Sequence, residues 1–192
     1  SGSWTTALAQ TFDGLAADAT YYLRVRARNR AGIETAPTSL PETATLAAPP
    51  VSASASNQSS TTVRANWGAG TNTAPTNFVN EISTSGAFAG LTASSRTLNA
   101  YADYSGLIPN TRYYSRVRAL SHAETATSDV NLPDAVTLAT APTGATMVNV
   151  LSQSVAISWN GNGNPDGTEY FAERATDAGF SANTGNSGWI AQ

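Results

Sequence analysis

Cysteine and lysine are both missing from this chain, and histidine occurs once, at His122. Without cysteine there is no disulfide, no thiolate metal site and no thiol nucleophile. Without lysine there is no Schiff-base chemistry, no Lys–Asn isopeptide cross-link and no P-loop; all ten basic residues are arginine. Charged residues make up 12% of the chain, about half the usual share, so Ser, Thr, Asn and Ala must form much of the surface. A net charge of −3 gives no basic footprint for nucleic acid or an anionic membrane. No apolar run approaches the roughly 20 residues of a membrane-spanning helix, and no glycine loop leads into a helix to cradle phosphate. Carboxylates are scattered and do not recur as the facing pair that glycoside hydrolysis needs. Ser121 and Asp129 lie near His122 in sequence, but a triad needs groups converging from separate elements on a pocket. No catalytic, cofactor-binding or metal-binding residue is assigned, and the chain is read as non-enzymatic.

What the chain does have is a repeat. Leu15 recurs as Leu107, 92 residues on, and the same offset takes Tyr21-Tyr22 to Tyr113-Tyr114 and Arg24-Val25-Arg26-Ala27 to Arg116-Val117-Arg118-Ala119. It also takes Leu40-Pro41 to Leu132-Pro133, Trp67 to Trp159, Phe78 to Tyr170, Glu81 to Glu173 and Phe88 to Phe180. A fixed period of this size, kept without a gap, denotes an array of like modules. Ser1-Gly2-Ser3-Trp4 resembles Asn186-Ser187-Gly188-Trp189. The expected division is therefore the back half of one module over 1–46, a complete module over 47–139 and the front half of a third over 140–192. Each half is expected to be completed by a neighbour or by continuation of the chain.

Arg64 to Trp67, Thr20 to Arg28 and Val155 to Trp159 alternate with a period of two, Gly, Pro and Asn clusters punctuate them, and no 3.6-residue apolar stripe appears. Several short strands per period point to β-sandwiches. The joints, Leu46-Ala47-Ala48-Pro49-Pro50 and Leu138-Ala139-Thr140-Ala141-Pro142, are short. Proline restricts both itself and its predecessor, so the joints are expected to be stiff and the array linear.

Gly106-Leu107-Ile108-Pro109-Asn110-Thr111-Arg112-Tyr113, followed by Ser115, Val117 and Ala119, resembles the E–F corner and F strand of a fibronectin type III domain. Gly14 to Tyr21 matches it without the proline, Trp67 and Trp159 match its B-strand tryptophan, and Phe78 and Tyr170 its C-strand aromatic. The resemblance spans the whole chain and implies an all-β fold: tandem fibronectin type III-like, immunoglobulin-like sandwiches in a linear array. The Ala/Thr/Ser-rich, disulfide-free style resembles bacterial or phage extracellular versions. It implies a core of Trp67, Trp159, Leu15, Leu107, Val25, Val117, Phe78 and Tyr170, with Tyr21 and Tyr113 as tyrosine-corner residues bonded near Leu15 and Leu107.

The outward arginines, Arg24, Arg26, Arg116 and Arg118, form a surface ladder. It could grip an anionic ligand, but pairing across the sheet with Glu81 and Glu173 is the expected role. Asn160 to Gly167 alternates oxygens as a calcium loop does, yet Asp166 is its single carboxylate, and turn chemistry explains it better. Asn57-Gln58-Ser59 satisfies the N-glycosylation pattern. Two functions are compatible with the sequence. One is a structural repeat unit of an extracellular fibre, filament or surface stalk, whose partners are like modules head to tail, by self-assembly or in one long chain. The alternative is a spacer or ligand-binding module of a secreted enzyme, adhesin or phage tail protein. Both place the chain outside the cell or on its surface, without nucleic acid, membrane insertion or cofactor.

Overall fold

Alternation of apolar and polar residues sets the strands, and the places where both faces are covered set the core. The computed structural model describes residues 4–53, 59–73, 75–182 and 184–191. Ser1 to Ser3 and the Asn57-Gln58 pair of the glycosylation pattern lie outside the described residues.

Over 1–46 the chain forms β1 (Thr20–Tyr21), β2 (Arg24–Val25), β3 (Thr38–Ser39) and β4 (Thr43–Ala44). The middle segment holds β5 (Val51–Ser52), β6 (Val63–Gly68), β7 (Asn77–Ser83), β8 (Ala93–Thr97), β9 (Tyr101–Tyr104), β10 (Arg112–Leu120) and β11 (Val130–Val136). The last segment has β12 (Thr143–Val150), β13 (Val155–Asn160), β14 (Glu169–Arg174) and β15 (Gly185–Ala191). Among the described residues no helix is long and apolar enough to cross a membrane.

In the middle segment a three-stranded sheet, β5-β6-β9, faces a four-stranded one, β11-β10-β7-β8. Val63, Ala65 and Trp67 of β6 point inward against Phe78 and Ile82 of β7 and Tyr113, Val117 and Ala119 of β10. The Trp67 and Phe78 rings meet at 5.8 Å, tilted by 58°. One polar set is buried among them: the Tyr104 hydroxyl donates to Asn80 Oδ1 (2.8 Å), and Asn80 Nδ2 donates to Ser115 Oγ (2.9 Å) and to the Arg116 carbonyl (2.8 Å). Each amide group of Asn80 thus has a partner, which burial requires. Burial, with the Glu81 charge adding to it, pushes the Tyr104 hydroxyl pKa up, so it stays a donor at ordinary pH.

The period governs pairing as well as sequence. Arg24 pairs with Ser39 as Arg116 does with Asn131, and Thr20 with Ala44 as Arg112 does with Val136. Between the two pairings lies the recurring Leu-Pro dipeptide. On β11 it coincides with a register shift, and β11 is an edge strand, where the missing proline N–H removes no ladder bond.

The outer segments depart from expectation in the core. Leu107 and Val117 are 6% and 0% exposed, whereas Leu15 and Val25, at the same positions of the first segment, are 44% and 62% exposed. Trp159 and Tyr21 are half-buried, and Tyr170 is buried. The physical reason is the missing second layer: β1–β4 and β2–β3 are two-stranded ladders, as are β12–β13 and β14–β15. An inward side chain with no sheet facing it meets solvent. The alternation over Thr20 to Arg28, read as one strand, is split into β1 and β2 because its partner is interrupted at Leu40-Pro41 and, among the described residues, no second strand flanks it as β7 flanks β10.

The Trp67→Ala variant is expected to lose about 3–5 kcal/mol of unfolding free energy. Tyr113→Phe is expected to lose about 1 kcal/mol. Urea denaturation followed by tryptophan fluorescence and circular dichroism of the full chain checks both.

Candidate functional site

The side chains that do most outside the core gather where one segment hands over to the next. The corner before β10 is left-handed at Asn110 (φ 43°), and that before β1 at Asp18 (φ 51°); Asn and Asp tolerate this region better than other side-chain-bearing residues. Two local bonds hold each corner. The Tyr113 hydroxyl accepts from Ile108 N (2.9 Å) and that of Tyr21 from Ala16 N (2.8 Å). Thr137 Oγ1 donates to the Ile108 carbonyl and Thr45 Oγ1 to that of Ala16, both at 2.7 Å.

Turned outward by the corner, the Asp18 and Asn110 side chains meet the next segment at equivalent places. Thr76 Oγ1 donates to Asp18 Oδ2 (2.6 Å), and Asn110 Nδ2 donates to Thr168 Oγ1 (2.9 Å). In the first joint Thr73 adds a backbone bond to the Ala17 carbonyl (3.2 Å) and a hydroxyl bond to that of Asp18 (2.8 Å). Pro165 stands where Thr73 does and has neither donor. Asp18 is 1% exposed, and Oδ1 accepts from the backbone N–H of His122 (2.8 Å) with His122 Nδ1 at 2.7 Å. A buried carboxylate is thereby surrounded by three hydrogen-bond partners from another segment.

An asparagine clamps each linker. Asn72 Oδ1 accepts from Ala48 N (2.6 Å) while Nδ2 donates to the Ala48 carbonyl (2.8 Å). Asn164 does the same to Thr140, at 2.8 and 2.9 Å. The Asn160 to Gly167 loop is a turn whose buried Asn164 serves this clamp. Among the described residues no group of three or more His, Asp or Glu is placed to hold a metal ion. Nor does His122 meet the nearby Ser121 and Asp129: Ser121 Oγ accepts from Thr125 N (3.2 Å), and Asp129 is paired with Arg116 and Arg118.

The arginine ladder closes in the middle segment. Glu81 receives Arg116 Nε at 2.7 Å and Arg118 Nη2 at 2.9 Å, and Asp129 lies 3.1 and 3.2 Å from the same two guanidinium groups. Phe88, left-handed at φ 51°, sets its ring 4.4 Å from the Arg116 guanidinium. Two positive and two negative groups satisfy one another, which leaves no unbalanced charge for an anionic ligand. In the first segment Arg26 pairs with Glu34 at 2.7 Å, and Arg24 and Glu173 are exposed on separate segments.

Sequence reasoning singled out the ladder and the tyrosines, missed Asp18, Asn72 and Thr76, and weighed His122 for catalysis rather than for the joint. A signal existed for the three missed residues: Asp18/Asn110, Asn72/Asn164 and Thr76/Thr168 keep the 92-residue spacing. In sequence alone, Asn, Asp and Thr in loops read as turn chemistry.

Hydrogen bonding to Arg118 holds the Glu81 carboxyl below the usual carboxylate range; burial opposes this and Arg116 reinforces it. A carboxylate depressed in the folded state contributes stability above its unfolded pKa and loses it as pH falls through the folded one. Glu81→Gln is therefore expected to be less stable than the parent at neutral pH. The gap should narrow as pH falls below about 4. Urea midpoints measured from neutral pH to about pH 3 check this.

No protein-family model matches the chain, and no curated protein sequence matches it significantly. Solved structures do. A two-domain fibronectin type III segment from chicken tenascin superimposes with a TM-score of 0.51 at 11% identity, covering 75% of this chain and 78% of that one. Domains d3–d4 of the rat CD45 extracellular region match with a TM-score of 0.46 at 13% identity, covering 71% and 74%. At such identities the likeness speaks to the fold. The chain has an all-β fold of tandem fibronectin type III-like sandwiches.

Proposed function

We propose that the chain is a structural repeat unit of an extracellular fibre, filament or surface stalk, in which like modules follow one another head to tail. The observation that carries this reading is the recurrence of the joint. The same positions, 92 residues apart, clamp both linkers and bridge both corners to the following segment. A flexible tether needs no such bonds, and an accidental contact would not be made twice by equivalent residues. Joints clamped at the same 92-residue spacing place successive modules at a regular interval, which suits a load-bearing or distance-setting element.

The surface agrees with that role. The described arginines of the middle segment are paired, through Glu81, Asp129, Asp103, Glu124 and Asp134. The extracellular or cell-surface setting is part of the proposal; it rests on the resemblance of this Ala/Thr/Ser-rich, disulfide-free chain to extracellular versions of the fold.

Negative-stain electron microscopy of native material, with intact mass on the same sample, tests the reading. Slender rods or filaments of regular beads are expected, and isolated short particles would overturn it. The Asn72→Ala/Asn164→Ala variant is expected to bend more widely at the joints, as small-angle scattering would read, and to be cut faster by protease at Ala47-Ala48. Equal scattering from parent and variant would refute a role for the clamps in stiffness.

A further inference from the structure

The buried polar set of the middle segment has no polar equivalent elsewhere in the chain. At the 92-residue spacing, Asn80 becomes Ala172, Tyr104 becomes Phe12 and Ser115 becomes Leu23. These three exchanges are matched in chemistry. Alanine for Asn80 alone would leave the Tyr104 hydroxyl without its partner side chain and open a void. Phenylalanine for Tyr104 alone would leave an asparagine oxygen without a donor. Made together they remove every side-chain polar atom of the set, and leucine for serine adds the volume that alanine gives up. Such compensation is the mark of side chains in mutual contact. Yet Phe12 and Leu23 lie in the first segment and Ala172 in the last. Phe12 is 56% exposed, and Leu23 and Ala172 are half-buried.

The charges tell the same story. In the middle segment Glu81 stands directly across from Arg116 and binds Arg118 as well. Glu173 sits at the Glu81 position on β14, and Arg24 and Arg26 at the two arginine positions. Strand β14 pairs on one side with β15, as β7 does with β8, and β2 pairs on one side with β3, as β10 does with β11. In the middle segment the other side of β7 is occupied by β10. The equivalent sides of β14 and β2 carry no partner strand among the described residues.

We propose that β14 and the face around Trp159 and Ala172 are covered by the 12–46 segment of a second copy of this chain. Strand β2 of one copy adds to the edge of β14 of the other, in the register of β10 on β7: Arg24 opposite Glu173 and Val25 opposite Ala172. Backbone bonds along the open edges supply affinity, and the alternate side chains supply specificity. Phe12, Leu23 and Ala172 then close one apolar core, and Leu15 and Val25 are buried as Leu107 and Val117 are. Because each copy carries both faces, the contact runs head to tail and propagates. This inference rests on the repeat-array reading above and names its partner.

Sedimentation velocity of the full chain across a concentration series tests it. Species heavier than the 19.8 kDa chain are expected to grow with concentration. The Ala172→Asn variant is expected to weaken association about 10- to 100-fold, because the asparagine is buried without partners. Adding Phe12→Tyr and Leu23→Ser to it rebuilds the polar set and is expected to restore association. Glu173→Arg is expected to weaken association about 10-fold, and Arg24→Glu/Arg26→Glu in the same chain to recover it. A chain that stays at its single-copy mass at every concentration overturns the proposal, and so does association that neither compensated variant restores. Small-angle scattering on the same samples reads joint stiffness separately, so a failed contact is distinguishable from a failed array.

Discussion

The left-handed corner ahead of β10, and its counterpart ahead of β1, is the constraint on which the rest of the molecule hangs. One hydroxyl, from Tyr113 or Tyr21, ties the corner to the strand that follows it, and one threonine, Thr137 or Thr45, ties it to the end of the module. With the backbone forced to positive φ at Asn110 and Asp18, the side chain there points away from its own sheets and toward the next segment. A single local conformation therefore seats a core aromatic on one side and an inter-module bond on the other. Core packing and joint geometry are coupled by one short stretch of chain.

Low charge density is compatible with this architecture because the charged residues of the middle segment are used in pairs. Glu81 and Asp129 each pair with both Arg116 and Arg118, and the Phe88 ring lies against the Arg116 guanidinium. Partial exposure limits what any one pair contributes to stability, but the register information is considerable: Arg116 opposite Glu81 is compatible with one alignment of β10 on β7. A one-residue slip would move the arginines to the inner face and Val117 to the outer one. The ladder is thus better understood as an alignment device of the sheet than as a ligand grip.

The two joints share a plan and differ in strength. In the first, a carboxylate takes bonds from Thr76 and His122, and Thr73 adds two more from the following segment. In the second, Asn110 makes a neutral bond to Thr168, and Pro165 removes the donors that Thr73 supplies. Charge-assisted bonds are roughly twice as strong as neutral ones, so stiffness need not be uniform along an array of these modules even though their spacing is. Both linkers nevertheless carry the same asparagine clamp, which sets the position of the chain as it enters each sandwich.

Much of this was legible in the residues themselves. Repetition at 92 residues, period-two alternation and the Tyr and Trp positions carry the fold, because a β-sandwich is specified by which side chains alternate inward, and that is local information. The Leu-Pro dipeptide and the Arg/Glu ladder were visible for the same reason. Tertiary structure decided what local pattern cannot: whether an inward-facing residue has anything to face. Val25 and Val117 sit in the same Arg-Val-Arg-Ala context, yet one is 62% exposed and the other 0%, because burial depends on a second sheet contributed from elsewhere. The joint was hidden likewise, since Asp18 lies 104 positions from His122, and only folding brings a loop carboxylate, a threonine and the lone histidine to within hydrogen-bonding distance.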